Sequence, residues 1–102
     1  FGLPNVKIFG ELEKRVQRAA ICPGSGKSDA KQALKLGAEV YITGDIDHHT
    51  GIDMADCGMA IIDAGHYGVE HIYIADMERF LKKHCPELTV YTAPIRQPFQ
   101  VL

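Results

Sequence analysis

Cysteine is scarce in this sequence, and what there is does not pair. Cys22, Cys57 and Cys85 are an odd number without CxxC spacing. That argues against a disulfide framework and for free thiols in a reducing compartment, with the cytoplasm as the expected location. An excess of charge of one sign is also missing: 11 Lys and Arg stand against 13 Asp and Glu, a net charge of −2. With the basic residues scattered, neither nucleic acid nor an anionic membrane is expected as a partner. No apolar run is long enough to span a bilayer, and no basic-plus-apolar leader opens the chain. The chain begins at Phe1 rather than Met, so its natural start is expected upstream.

A further absence decides the meaning of one motif. ICPGSGKS, Ile21 to Ser28, has the look of a nucleotide-binding P-loop. A P-loop needs a Gly separated by four residues from its Gly-Lys-Ser, so that successive N–H groups curl around the phosphates. Ile21 stands there instead, and a β-branched residue does not readily take the positive φ that a Gly supplies. A cysteine-phosphatase loop fails as well, because Ser28 occupies the place of its Arg. What is present is an ordinary globular composition, 46% hydrophobic and 24% charged over 102 residues, enough for one domain with a modest core.

Along the chain, the apolar runs VKIF (Val6 to Phe9) and VQRAAIC (Val16 to Cys22) read as strands, parted by the charged stretch Gly10 to Arg15. Ser28 is suited to cap a short helix that stops at Gly37. EVYIT (Glu39 to Thr43) reads as a buried-type strand, Asp47 as the cap of a helix ending at Gly58, and MAIID (Met59 to Asp63) as another such strand. Apolar positions at Val69, Ile72, Tyr73, Met77, Phe80 and Leu81 predict one helix over 67–83. LTVYT (Leu88 to Thr92) predicts a last strand before a Pro-broken tail. Strands alternating with helices define the expected fold class: a single α/β domain over 1–102, with a mostly parallel or mixed sheet flanked by helices.

In such sheets, sites gather at the carboxyl ends of strands. Three loops leave strand ends and enter helices here: CPGSGKS, TGDIDHH and DAGHYGVE. Each carries Gly together with polar or titratable residues, so the three are expected to converge on one cleft. His66 and Glu70, spaced i,i+4, share a helix face and can grip one ion between them. A solvated Glu at a helix edge beside an uninvolved His gives the same spacing. His48 and His49 follow Asp45 and Asp47, but adjacent helical residues point about 100° apart, so both histidines cannot readily serve one site. One facing the cleft, or both in solvent behind an Asp47 cap, are the two readings. His71 and His84 read as surface or packing residues, and Cys22 as packing at a strand end.

GLPNVKIFGE, RAAICPGSGKS, EVYITGDIDHHT, AIIDAGHYGVE and PFQVL, in that order, resemble the C-terminal half of the dinuclear-metal-centre proteins known as type 2 GTP cyclohydrolase I homologues. The resemblance covers nearly the whole chain. It implies one lobe of a two-lobed subunit that assembles into a ring-like homo-hexamer and holds two divalent metal ions (zinc, manganese or iron) between its lobes. It implies that His66 and Glu70 are metal ligands, and that Asp45 and His49 line the cleft beside them as supporting or proton-transfer groups. The family's His-His pair and Asp come from an N-terminal lobe that has no counterpart here, so that role does not pass to His48 and His49. A fragment is therefore expected: inactive alone, holding metal weakly, and self-associating through the apolar flank around Tyr73 and Met77. For the intact protein the resemblance implies metal-assisted hydrolysis of a small-molecule substrate. The alternatives are a regulatory or interaction protein whose metals stabilise the hexamer, and a binding module built on the Gly-rich loop.

Overall fold

A computed structural model of the chain describes residues 1–100, so the last two residues of the PFQVL motif lie outside the described part. Four strands, β1 (Lys7–Phe9), β2 (Ala19–Ile21), β3 (Val40–Thr43) and β4 (Ala60–Asp63), form one sheet in the order β1-β4-β3-β2. β2, β3 and β4 run parallel, and β1 lies antiparallel against β4. The expected α/β domain with a mixed sheet is what the chain forms. Between the parallel strands run the helices α1 (Lys27–Lys35) and α2 (His48–Asp56), as a crossover connection requires.

The sheet's two faces are set by strand alternation. Phe9, Ile61, Tyr41 and Ala20 are in register on one face, where they join Ala30 and Ala33 of α1 and Met54 of α2 in the core. Asp47 caps α2, its carboxylate accepting from the Thr50 amide at 3.1 Å and the Thr50 hydroxyl at 2.7 Å. These bonds, the hydroxyl first, hold the Asp47 carboxyl well below the usual carboxylate range, with help from Lys27 at 3.2 Å.

β1 and β2 sit at opposite edges, so the connection between them passes below the amino ends of β3 and β4. There Lys14 donates to the Gly58 carbonyl at 2.6 Å, and Glu39 accepts from the Gln17 and Arg18 amides at 2.6 and 3.1 Å. Those two amides hold the Glu39 carboxyl below its ordinary range. The route also explains why the start of β1 lies at the sheet's carboxyl end, beside the loops that carry polar residues.

Three expectations are corrected. Helix α1 begins one residue before Ser28, and its N-cap is Gly26 in a left-handed conformation (φ 51°) with no side-chain cap bond. A Cβ at that glycine would lie 2.0 Å from Thr43 Oγ1, so only Gly allows the approach. The helix over 67–83 is two helices, α3 (His66–Glu70) and α4 (Tyr73–His84). The Ile74 amide donates to the His71 carbonyl at 3.1 Å, an i→i+3 turn that breaks the α-ladder while His71 packs inside. Finally, Leu88 to Thr92 is not a strand. Val90, Tyr91 and Thr92 face Tyr73, Met77 and Leu81 of α4 across a shallow cavity, so their β-propensity meets a helix instead of a strand edge.

Candidate metal centre

All three polar loops meet at the carboxyl end of the parallel strands. The Gly24 carbonyl accepts from the Gly44 amide at 2.8 Å and from Thr43 Oγ1 at 3.2 Å, and the Gly26 carbonyl accepts from the Tyr41 hydroxyl at 2.8 Å. Burial, foremost, keeps the Tyr41 phenol protonated as that donor by raising its pKa above the ordinary range. The Gly-rich loop thus spends its carbonyls tying itself to β3. Gly44 in turn lies against the third loop: a Cβ there would stand 2.5 Å from both the Gly65 carbonyl carbon and the His66 nitrogen.

His66 opens α3 and Glu70 closes it, so the i,i+4 spacing becomes a shared face. Nε2 of His66 is 3.1 Å from Oε1 of Glu70, with both side chains about half exposed (53% and 43%). Two donors that bind one ion at about 2.1 Å and roughly right angles stand about 3 Å apart, so this separation fits a shared ion as well as a hydrogen bond. Asp45 comes from the β3–α2 loop at φ 51°, a left-handed conformation that costs a non-Gly residue energy. Its Oδ2 lies 3.8 Å from His66 Nδ1, the ring nitrogen turned away from Glu70. That is beyond hydrogen-bond length, but it is the place from which a carboxylate orients a ligating imidazole. A cavity of about 410 Å³ opens beside the pair, lined by Asp45, His66, Tyr67, Glu70, Gln97 and Phe99.

Asp45, His66 and Glu70 are brought together; His49 is not. His49 is exposed at the start of α2, its ring 5.7 Å from that of His48, and it lines neither cavity at this end. Among the described residues no group of three or more His, Cys, Asp or Glu is arranged to hold a metal ion. The residues present therefore fit two positions of a coordination sphere and leave the rest to water or to another polypeptide.

Two residues of this region escaped the reading of the sequence. Asp63, at the end of β4, is buried, and Lys7, at the start of β1, reaches its Oδ2 at 2.6 Å. A carboxylate ending an otherwise apolar strand was the available signal. Its partner was legible only once β1 was known to pair with β4.

A parallel-stranded α/β domain with an imidazole and a carboxylate paired at its strand ends belongs to a class of proteins whose sites are built on loops above the sheet. A sequence model of the family Duf34/NIF3 (NGG1p interacting factor 3) matches residues 1–98, and the chain belongs to this family. A GTP cyclohydrolase 1 type 2 homolog of Streptococcus pneumoniae is 47% identical over 73 residues, 72% of this chain and 27% of that protein. A Staphylococcus aureus crystal structure superposes with a TM-score of 0.79 at 31% identity, covering 98% of this chain and 30% of that one. A Bacillus cereus protein related to NIF3 superposes at 0.78 with 23% identity, covering 98% of this chain and 29% of that one, which is a likeness of fold alone. The chain spans less than a third of the length of the curated relatives it matches.

Proposed function

We propose that this chain supplies part of a divalent-metal site in a metal-dependent hydrolase resembling GTP cyclohydrolase type 2. The observation that carries the reading is the 3.1 Å separation of His66 Nε2 and Glu70 Oε1 beside a cavity at the strand ends. Neutral imidazole and carboxylate oxygen suit zinc, manganese or iron. When bound, such ions polarise a phosphate or amide-like group and acidify water. Within this chain, Glu70 and His66 bind, and Asp45 orients the imidazole through Nδ1. The relative called GTP cyclohydrolase 1 type 2 homolog makes a purine nucleotide the substrate to try first.

With two protein ligands instead of the usual three or four, the chain alone holds metal weakly and turns over no substrate. The test is metal analysis after desalting from zinc or manganese at neutral pH, followed by a hydrolase substrate screen on the longer protein with the metal found. Weak uptake abolished by His66→Ala supports the reading. Two tightly held ions per chain, lost in His66→Ala, would show that the site is complete here and that no outside ligands are needed.

One observation favours a second reading, an interaction protein with structural metals that assembles as a homo-hexamer. Tyr73, Met77 and Phe80 are 59%, 51% and 54% exposed along α4, an apolar stripe suited to self-association. A coordination sphere closed by protein ligands would favour this reading, and an open position would favour catalysis.

A further inference from the structure

Asp63 is the one carboxylate buried among the described residues, 1% exposed, and it occupies a sheet position one step beyond Ile61 on the core face. An apolar residue there would avoid the cost of burying a charge. What the carboxylate does instead is bridge two loops. Its Oδ1 accepts from the Asp45 amide at 2.7 Å and from the Gly65 amide at 3.0 Å. Both amides lie just past the point where β3 and β4 end, beyond the reach of the strand ladder. Its Oδ2 meets Lys7 Nζ at 2.6 Å, a charge contact without hydrogen-bond alignment.

The positions of the two bonded amides give this bridge its meaning. Asp45 is the only described non-Gly residue at positive φ, a conformation that persists only when its surroundings over-determine it. Gly65 immediately precedes His66. Between them, Gly44 is pressed against Gly65 with no room for a side chain. One carboxylate oxygen therefore sets the register of two loops, one carrying Asp45 and the other His66.

We propose that Asp63, charge-balanced by Lys7, is the positioning residue of the site: through the Asp45 and Gly65 amides it holds the Asp45 and His66 side chains in their mutual geometry at the cleft. The lock itself stands on the geometry of the chain's own residues. Its bearing on metal rests on the function proposed above. Lys7 makes the lock conditional on β1, so the antiparallel edge strand serves the site without contributing a ligand.

Amide hydrogen exchange of the 102-residue chain, with a Zn2+ titration of the same samples, tests both parts. In Asp63→Ala, exchange at Asp45 and Gly65 accelerates at least about tenfold, the loss of a charge-assisted bond, while Tyr41 and Ile61 keep the protection of the strand ladder. Asp63→Asn keeps an acceptor oxygen but turns an amide N–H toward Lys7. It accelerates the same two amides less, and adding Lys7→Met returns them toward wild type. Zn2+ affinity falls about tenfold or more in Asp63→Ala, as for other residues that orient ligands. Should Asp63→Ala not fold, the Asp63→Asn series decides by the same amides. Unchanged exchange at Asp45 and Gly65, or a loss shared equally by the ladder amides, would overturn the positioning role. Selective loss with unchanged Zn2+ affinity would overturn its link to metal. A wild-type chain that takes up no Zn2+ would sink the metal reading instead, leaving the exchange comparison to decide the lock.

Discussion

Helices α2 and α4 both carry methionine on an apolar face, yet Met54 of α2 is 4% exposed and Met77 of α4 is 51% exposed. Helix α2 packs against β4 and β1, whereas no residue of α4 is buried. The folded chain is accordingly extended, with a radius of gyration of 16.2 Å against about 13 Å for a compact domain of this length. The difference shows that an apolar helical stripe identifies a face that needs covering without identifying the cover. On α2 the cover is the sheet. Beside α4, among the described residues, the segment Val90 to Ala93 lies across a shallow cavity.

Four measurements would break or sharpen that contrast. Ile61, 0% exposed at the centre of the core, should lose about 2–5 kcal/mol when truncated to Ala, by cavity and transfer terms together. Urea denaturation reads it, and a loss below about 1 kcal/mol would mean the core side is not what holds the fold. Gly44→Ala places a methyl 2.5 Å from backbone atoms of Gly65 and His66 and should cost about 1–3 kcal/mol. Its effect should reach the His66 ring resonances, because the two loops touch there. By contrast, Met77→Asp should change stability by no more than about 0.5 kcal/mol and should lower concentration-dependent mass in sedimentation if the α4 stripe self-associates. A stability loss like that of Ile61→Ala would place α4 inside the cooperative core after all.

The smallest effect concerns acid. The Asp47 and Glu39 carboxyls are both depressed, Asp47 by Thr50 and Glu39 by the Gln17 and Arg18 amides. A depressed carboxyl stabilises the fold fully above its unfolded pKa, about 3.9 for Asp and 4.3 for Glu, and that contribution is lost as the pH falls through the lower folded value. The Thr50 and Gln17 amide shifts should therefore hold steady while the pH crosses the free carboxylate range and should move only below it. Movement of Thr50 at the pH where a free Asp titrates would show that the α2 cap is not formed in solution.

How far the sequence could be read follows the range of the interactions involved. The four strands, the α2 cap at Asp47 and the convergence of three loops were legible, because strand alternation, capping and strand-end loops are local patterns with one consistent three-dimensional outcome. The i,i+4 pair His66 and Glu70 was legible for the same reason, being neighbours on one helix. Asp45 needed the loop contact through Gly44 and Gly65 before its distance to His66 had meaning. His49 had the right chemistry in the right loop, and the structure points the start of α2 elsewhere.

The errors were of one kind. LTVYT has strand composition, but strand propensity becomes a strand only beside a partner edge, and Leu88 to Thr92 runs along α4. Apolar spacing over 67–83 was continuous, but one i→i+3 turn at His71 and Ile74 cost little and redirected the chain. Ser28 was a good cap by composition, yet Thr43 and Tyr41 from a distant strand crowd Gly26 into that role.

By itself, the sequence determined the alternation of strands and helices, the loops that bear chemistry and the helical pairing of His66 with Glu70, since each depends on residues within about one turn or one strand of one another. Only the tertiary structure decided that β1 lies antiparallel on β4, that Lys7 therefore meets Asp63, and that one buried carboxylate ties two loops together. The Asp45–Asp63 and Lys7–Asp63 contacts join residues 18 and 56 positions apart, and such pairings leave no periodic trace in the sequence because they are selected by which strand edge is free when the sheet closes.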